Sequence, residues 1–210
     1  ADAPSIRQLA DEIEVVVGNE VKLDTDGPWP AMFAIGRKNY ALLMEDGAVT
    51  VKGSGLRGRS LEPVMERFLK ESLTDLLNED VISLRRRYVD LATKIREGSV
   101  PVSELALRKR LTRSTAEYAR EHAVRQAEYE LLIEKGRAGR AGDRVAIYRV
   151  EKGFRLVEDH AGDENRDHYL RRLRDMTSRL APGFSEADRV ALFSMEILAD
   201  ELAARIRPGL

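Results

Sequence analysis

Positive side chains in two stretches are the residues of this sequence whose types and spacing could do chemistry. Lys38, Lys52, Arg57 and Arg59 lie on or beside a segment that reads as a short hairpin, and Tyr40 adds an aromatic face or a hydroxyl donor beside them. Strand geometry can hold such cations against a duplex backbone. Affinity for nucleic acid comes mainly from neutralising phosphates and releasing counterions, so a sequence-neutral grip needs Lys and Arg on rigid elements rather than side chains that read bases. A denser run follows at Arg108, Lys109, Arg110 and Arg113, with Arg137, Arg140 and Arg144 in or beside a later loop. These suit phosphate contacts along a minor groove. Arg85, Arg86 and Arg87 are adjacent on a helix, where consecutive residues point in different directions, so that run reads mostly as solvated surface. Taken alone, Tyr40 also fits a half-buried strand aromatic.

Composition narrows the other chemistries. The 210 residues are 43% apolar and 34% charged, enough for one domain or two small ones with their own cores. With no cysteine there is no disulfide scaffold or thiolate metal site, and His122, His160 and His168 have no metal-ligand spacing. No apolar run approaches the roughly 20 residues a membrane span needs, and no signal-peptide pattern opens the chain. A cytoplasmic location and no membrane partner are the simplest expectation. A start at Ala1 fits a processed product or a piece of something longer. The net charge of -1 hides a pattern: residues 35–59 hold five Lys and Arg against two Asp and Glu, and residues 104–155 hold thirteen against eight, inside an otherwise acidic chain. Selected basic surfaces on an acidic molecule are what local phosphate contact requires.

The elements that must position these residues can be read from periodicity and punctuation. Ser5 with Gln8 makes a capping box ahead of Ile6, Leu9, Ala10 and Ile13, predicting a short amphipathic helix. Val15 to Val17, a Gly18-Asn19 turn, then Val21 and Leu23 read as one hairpin. Asn39 to Met44 and Ala48 to Val51, flanking Asp46-Gly47, read as another. Ser60 is a plausible cap for a helix marked by Leu61, Val64, Met65, Phe68, Leu69, Leu73 and Leu76. A second long helix carries Val81, Leu84, Tyr88, Leu91 and Ile95 and closes at Gly98. Beyond Pro101, alternation from Leu105 to Leu111 predicts a strand, His122 to Lys135 a helix, and Val145 to Arg149 a further strand. Two helices finish the chain, one through Tyr169 to Leu180 and one from Ser185 to Ile206.

In that order, several stretches resemble the family B DNA polymerases. Lys38-Asn39-Tyr40-Ala41-Leu42-Leu43, then Asp46-Gly47, then Lys52-Gly53-Ser54-Gly55-Leu56-Arg57-Gly58-Arg59, resembles their KKxY-type motif, hairpin, KG and paired arginines. Glu104 to Leu111, His122-Ala123-Val124 and Gly142 to Tyr148 resemble the thumb, and Asp167-His168-Tyr169-Leu170 a late DYY-type helix. The resemblance runs from about residue 20 nearly to the end and is closest to the bacterial polymerase-like branch and the replicative epsilon type. It implies that Lys38 and Tyr40 contact the primer strand near its growing end.

The same resemblance bears on Asp24-Thr25-Asp26-Gly27, because DTD is the family's motif C, whose two carboxylates hold the magnesium ions of polymerisation. Spacing speaks against that match. The family separates motif C from the KKxY-type motif by a helix-sized segment, and Asp26-Gly27-Pro28-Trp29-Pro30-Ala31-Met32 fits instead a DGPxxAM-like segment lying just before KKxY. On that alignment Asp24 and Asp26 imitate motif C and the catalytic pair lies upstream; on the other, Asp24 and Asp26 are the catalytic carboxylates of motif C. No DxxSLYPS-like motif A, no KxxxNSxYG helix and no exonuclease carboxylate set is present, so this chain alone is not expected to polymerise. Mg2+ belongs to the complete polymerase, and no metal is assigned to this chain.

The expected fold class is α+β: a small antiparallel palm-edge sheet over residues 1–59 and a mainly helical thumb over 60–210. The expected function is the primer-template DNA-binding part of a DNA-directed DNA polymerase (a nucleotidyltransferase) in replication or repair, completed by an upstream palm and fingers from the same parent chain or a partner subunit. A non-catalytic polymerase-like accessory protein is the second reading, and a helical interaction module with accidental matches the third. An incomplete palm would leave apolar surface exposed on the first helix and the sheet.

Overall fold

Residues 6–18, 28–53, 61–120 and 124–195 are described by a computed structural model, and their architecture is α+β. Helix α1 (Ile6–Val17) is strongly amphipathic, yet Leu9, Ile13, Val15, Val16 and Val17 are all exposed. Val15 to Val17 do not open a hairpin: they form the last turn of α1. Once a helix is nucleated each further residue adds a hydrogen bond, and that outweighs the modest strand preference of three valines. Gly18 stops it at φ 96°, its amide donating to the Glu14 carbonyl at 3.0 Å. The expected partner strand at Val21 and Leu23 lies outside the described residues, as does Ser5.

Strands β1 (Ala31–Gly36), β2 (Asn39–Leu43) and β3 (Val49–Lys52) form an antiparallel meander. The Asp-Gly hairpin stands as the sequence predicts. Asp46 Oδ1 accepts the Ala48 amide at 2.9 Å, and Gly47 takes φ 80°, a value that costs glycine nothing. Strand β1 was hidden in the Gly-Pro-Trp-Pro run before it. One face of the sheet carries Ala31, Phe33, Ile35, Ala41, Leu43, Val49 and Val51.

That face is buried against α2 (Pro63–Leu77) and α3 (Val81–Glu97), where Phe33 and Ala41 meet Leu69, Leu73, Leu76 and Leu84. The N-cap of α2 is Glu62, with Pro63 at the first helical position, where its missing N–H is no loss, and the expected cap Ser60 lies outside the described residues. Glu62 is itself buried, and the Arg172 guanidinium donates to both of its oxygens, at 3.3 and 3.2 Å. Asp80 caps α3 through the Ser83 amide. Gly98 ends α3 in the left-handed conformation, φ 72°, with the Arg166 guanidinium packed where a Cβ would stand.

The remaining elements are α4 (Val102–Leu105), β4 (Leu107–Arg110), α5 (Thr115–Arg120), α6 (Ala127–Glu134), β5 (Arg144–Arg149), β6 (Phe154–Leu156), α7 (Arg166–Leu180) and α8 (Glu186–Leu192). Leu105 belongs to a helical turn that follows Pro101 and buries it beside Phe68 and Tyr169, so the strand starts two residues later than its alternation suggests. His122, where a helix is expected to begin, lies outside the described residues; residues 124–126 are not helical, and α6 begins at Ala127. Helix α8 is capped by Ser185 as expected, then stops at Leu192; the residues expected to extend it from 196 on lie outside the described residues. Strands β4, β5 and β6 form a second antiparallel sheet with its own core of Leu111, Tyr118, Tyr129, Leu132, Val145, Ile147 and Leu156.

Candidate nucleic-acid interface

Alternation along each strand decides which predicted cations can act together. In the first sheet the core takes Phe33, Ala41 and Val51, so Tyr40 and Lys52 project from the opposite face, where they are direct cross-strand partners. Lys38 occupies the two-residue turn from β1 to β2 and joins them at the same end of the sheet. It is held there at φ 59°, a left-handed conformation that lysine adopts only at a cost of roughly 1–2 kcal/mol. Gly53 explains how the group is assembled: a Cβ at this position would collide with the Lys38 carbonyl and the Asn39 side chain, so only glycine lets the chain after Lys52 close on the turn. Lys38 and Lys52 are exposed, Tyr40 is half-buried, and neither lysine has an ion-pair partner among the described residues.

The second sheet divides the basic run. Leu107, Val145 and Ile147 face the core, and Lys109, opposite Val145, lies on that side at the sheet's edge. Arg108 and Arg110 project from the other face together with Arg144, which stands directly opposite Arg110. Arg113 lies in the turn beyond β4, where its amide and carbonyl are hydrogen-bonded to the Tyr129 hydroxyl. Arg140 sits in the loop before β5, folded onto itself by a bond from its amide to Asp143 Oδ2 at 2.7 Å. That loop is tied to the strand end by the Leu111 amide donating to the Asp143 carbonyl and the Gly142 amide donating to the Leu111 carbonyl, each at 2.8 Å. The grouping of Arg144 with Arg108 and Arg110 is a property of register, so the loop-based sequence reading missed it. Alternation counted back from Val145 was the signal that could have found it.

Other cations are committed within the protein. Arg137 pairs with Asp159 at 2.6 Å, and Arg155 with Asp163 at 2.6 Å. In the 85–87 run the three residues part ways, and only Arg86 fits the solvated reading. Arg85 is buried and donates to the carbonyls of Ala191, Leu192 and Ser194 at 2.8, 3.0 and 2.9 Å, while Arg87 bonds Asp75 and Glu71. Asp163 also accepts the Tyr148 hydroxyl at 2.5 Å. Burial, followed by that bond, pushes the Tyr148 hydroxyl up to about 12.

Asp24, Asp26, Arg57 and Arg59 lie outside the described residues. Among the described residues no three carboxylates, imidazoles or thiolates converge on a point that could hold a metal ion. No helix among the described residues is long and apolar enough to cross a membrane.

Comparison with known proteins gives a consistent picture. The family model described as DNA polymerase family B matches residues 2–175. A DNA polymerase of Archaeoglobus fulgidus is 27% identical over 165 residues, covering 70% of this chain and 20% of that protein. One from Methanocaldococcus jannaschii is 25% identical over 142 residues, covering 67% of this chain and 9% of that protein. The solved family B DNA polymerase of Pyrobaculum calidifontis shares the fold with a TM-score of 0.61 at 17% identity, over 86% of this chain and 25% of that one. The chain thus spans about a fifth or less of the length of these curated relatives.

Proposed function

This chain belongs to DNA polymerase family B, and from that premise we propose that it is the palm end and thumb of such a polymerase, whose work is to grip primer-template DNA. The observation that carries the proposal is the cluster of Lys38, Tyr40 and Lys52 at one end of the first sheet, on the face opposite its core. Two ammonium groups with no ion-pair partner among the described residues flank a tyrosine there, and tight packing against Gly53 fixes their backbone. Phosphate contact through fixed cations positions a duplex without reading it. Residues 1–59 supply the palm edge and 60–210 the thumb, with Arg108 and Arg110 on one face of the second sheet, and Arg113 and Arg140 beyond the strand ends, adding contacts farther along the duplex; Lys109, on the sheet's other face, does not join Arg108 and Arg110, and Arg57 and Arg59 are further DNA-binding candidates outside the described residues.

Catalysis falls to the upstream palm and fingers, where magnesium would be held; Asp24 and Asp26 are read as an imitation of motif C. The exposed apolar residues of α1 support this, since a face of Leu9, Ile13 and Val17 left in water is suited to packing against further polymerase. The resemblance that runs from about residue 20 nearly to the end is what supports the bacterial polymerase-like branch, and the cysteine-free composition is what supports a cytoplasmic location.

Binding of a labelled primer-template duplex, measured across a salt series, tests the reading. Affinity should fall linearly in log-log form, and Lys38→Ala or Lys52→Ala should weaken binding about equally on unrelated sequences while reducing the slope by about one. Salt-independent binding, or variants indistinguishable from the parent, would sink the proposal. Nucleotide incorporation on adding the upstream polypeptide separates an enzyme part from an inactive relative.

A further inference from the structure

Arg110 and Arg144 are register partners across β4 and β5. The ladder's parity defines the kind of pair they make. The Leu111 amide donates to the Asp143 carbonyl at 2.8 Å, which makes that rung the hydrogen-bonded type. The next rung, Arg110 with Arg144, is then the non-hydrogen-bonded type, with Cα atoms about 4.5 Å apart and the side chains at their closest. Both residues are exposed, so two guanidinium groups rise from adjacent stems on one open face.

Like charges directly opposite each other destabilise a sheet, and among the described residues no carboxylate pairs with either arginine. Neither side chain has an ion-pair or hydrogen-bond partner among the described residues. The carboxylate next in sequence, Asp143, is turned back to the Arg140 amide. Arg155, on the same face across β6, is already matched by Asp163. Arg108 adds a third positive charge two residues along β4, and its own cross-strand partner is Ala146, whose methyl group leaves the space toward Arg144 open. A repulsive pair kept without a carboxylate is a site awaiting an anion. The planar donor forks of arginine match phosphate oxygens two at a time.

We propose that Arg110 and Arg144, with Arg108 beside them, form a clamp for a single phosphodiester group, each guanidinium donating to its non-bridging oxygens. The clamp rests on the DNA-gripping reading only for the source of that phosphate.

Thermal melting of the full chain, Arg110→Gln and Arg144→Gln, in chloride and in inorganic phosphate at matched ionic strength, tests it directly. The general stabilising effect of phosphate acts on all three proteins, so the difference between them reads the clamp. In dilute chloride both variants should melt above the parent. Added phosphate should raise the parent's Tm with the logarithm of concentration, and by more than it raises either variant's. An equal response in all three, or variants that melt lower in chloride, overturns the clamp. Duplex binding separates the two ideas, because Arg144→Gln should lower the salt slope by about one. A phosphate-specific response with unchanged duplex binding leaves the clamp standing and removes DNA as its source. Weakened duplex binding without the phosphate response overturns the clamp while leaving the DNA grip intact.

Discussion

The hydroxyl of Tyr129 accepts the backbone amide of Arg113 at 3.1 Å, and in the same place it accepts the Thr112 amide at 2.9 Å and donates to the Arg113 carbonyl at 3.3 Å. One buried phenol on α6 therefore holds the turn that follows the basic strand β4. Its ring is stacked on Tyr118, centroids 4.3 Å apart, and the Tyr118 hydroxyl in turn accepts the Gln126 amide and donates to Glu130.

Tyr129→Phe keeps that stack and removes the acceptor. Two amides in a partly buried turn lose their partner, which costs about 1–3 kcal/mol for each group left unsatisfied. The expected result is a lower Tm with unchanged helix content, and faster amide exchange at Thr112 and Arg113 than elsewhere in the second sheet. An unchanged exchange pattern would show that the hydroxyl is dispensable.

The three adjacent arginines should differ sharply. Arg85→Ala removes a buried cation that satisfies three carbonyls at the end of α8 and beyond, and a loss of several kcal/mol is expected from hydrogen bonds to a charged group worth about 1.5–3 kcal/mol each. Arg87→Ala breaks a partly exposed network with Asp75 and Glu71, for which about 1 kcal/mol is the scale. Arg86→Ala, on the exposed side, should be within about 0.5 kcal/mol of the parent. Chemical denaturation ranks the three, and any order other than 85, 87, 86 contradicts the placement.

Lys38 tests whether backbone strain serves binding. Lys38→Gly removes the left-handed penalty of roughly 1–2 kcal/mol, so the protein should be stabilised by up to that amount while duplex affinity falls. Lys38→Ala should lose affinity without the gain. Equal melting temperatures for the two variants would mean that the turn is not strained.

Alkali should unfold the protein in a defined window. Tyr148 and Tyr169 both have hydroxyls pushed up to about 12, first by burial. A group raised in the folded state contributes stability fully below its unfolded pKa of about 10, and that contribution is lost as pH rises through the folded value. Stability is therefore expected to fall between about pH 10 and about 12, and Tyr148→Phe should flatten that decline. A tyrosinate absorbance titration alongside denaturation checks both points.

Much of the scaffold was legible because its signals are local. Asp46-Gly47 needs only its own φ preference and side chain, and the Leu84, Tyr88, Leu91, Ile95 stripe closing at Gly98 needs only a helical period and a left-handed cap. Where the sequence misled, a competing interaction prevailed. For Val15 to Val17 it was local, the propagation of the helix begun at Ile6, and for Leu105 it was longer-range, capture by the core around Phe68 and Tyr169. Strand β1 escaped notice because its pairing partner β2, rather than its own composition, makes it a strand.

By itself the sequence determined where positive charge is concentrated, which segments are helical or extended, and the motif order that resembles a polymerase, since charge, period and turn chemistry are carried by neighbouring residues. The tertiary structure decided which charges work together. Register placed Arg144 against Arg110 and Tyr40 against Lys52 and turned Lys109 to the other face, while helix packing buried Arg85 under the end of α8. A cation becomes a binding group or a structural one according to which carboxylates and carbonyls folding brings within reach, and those come from residues far away in the chain.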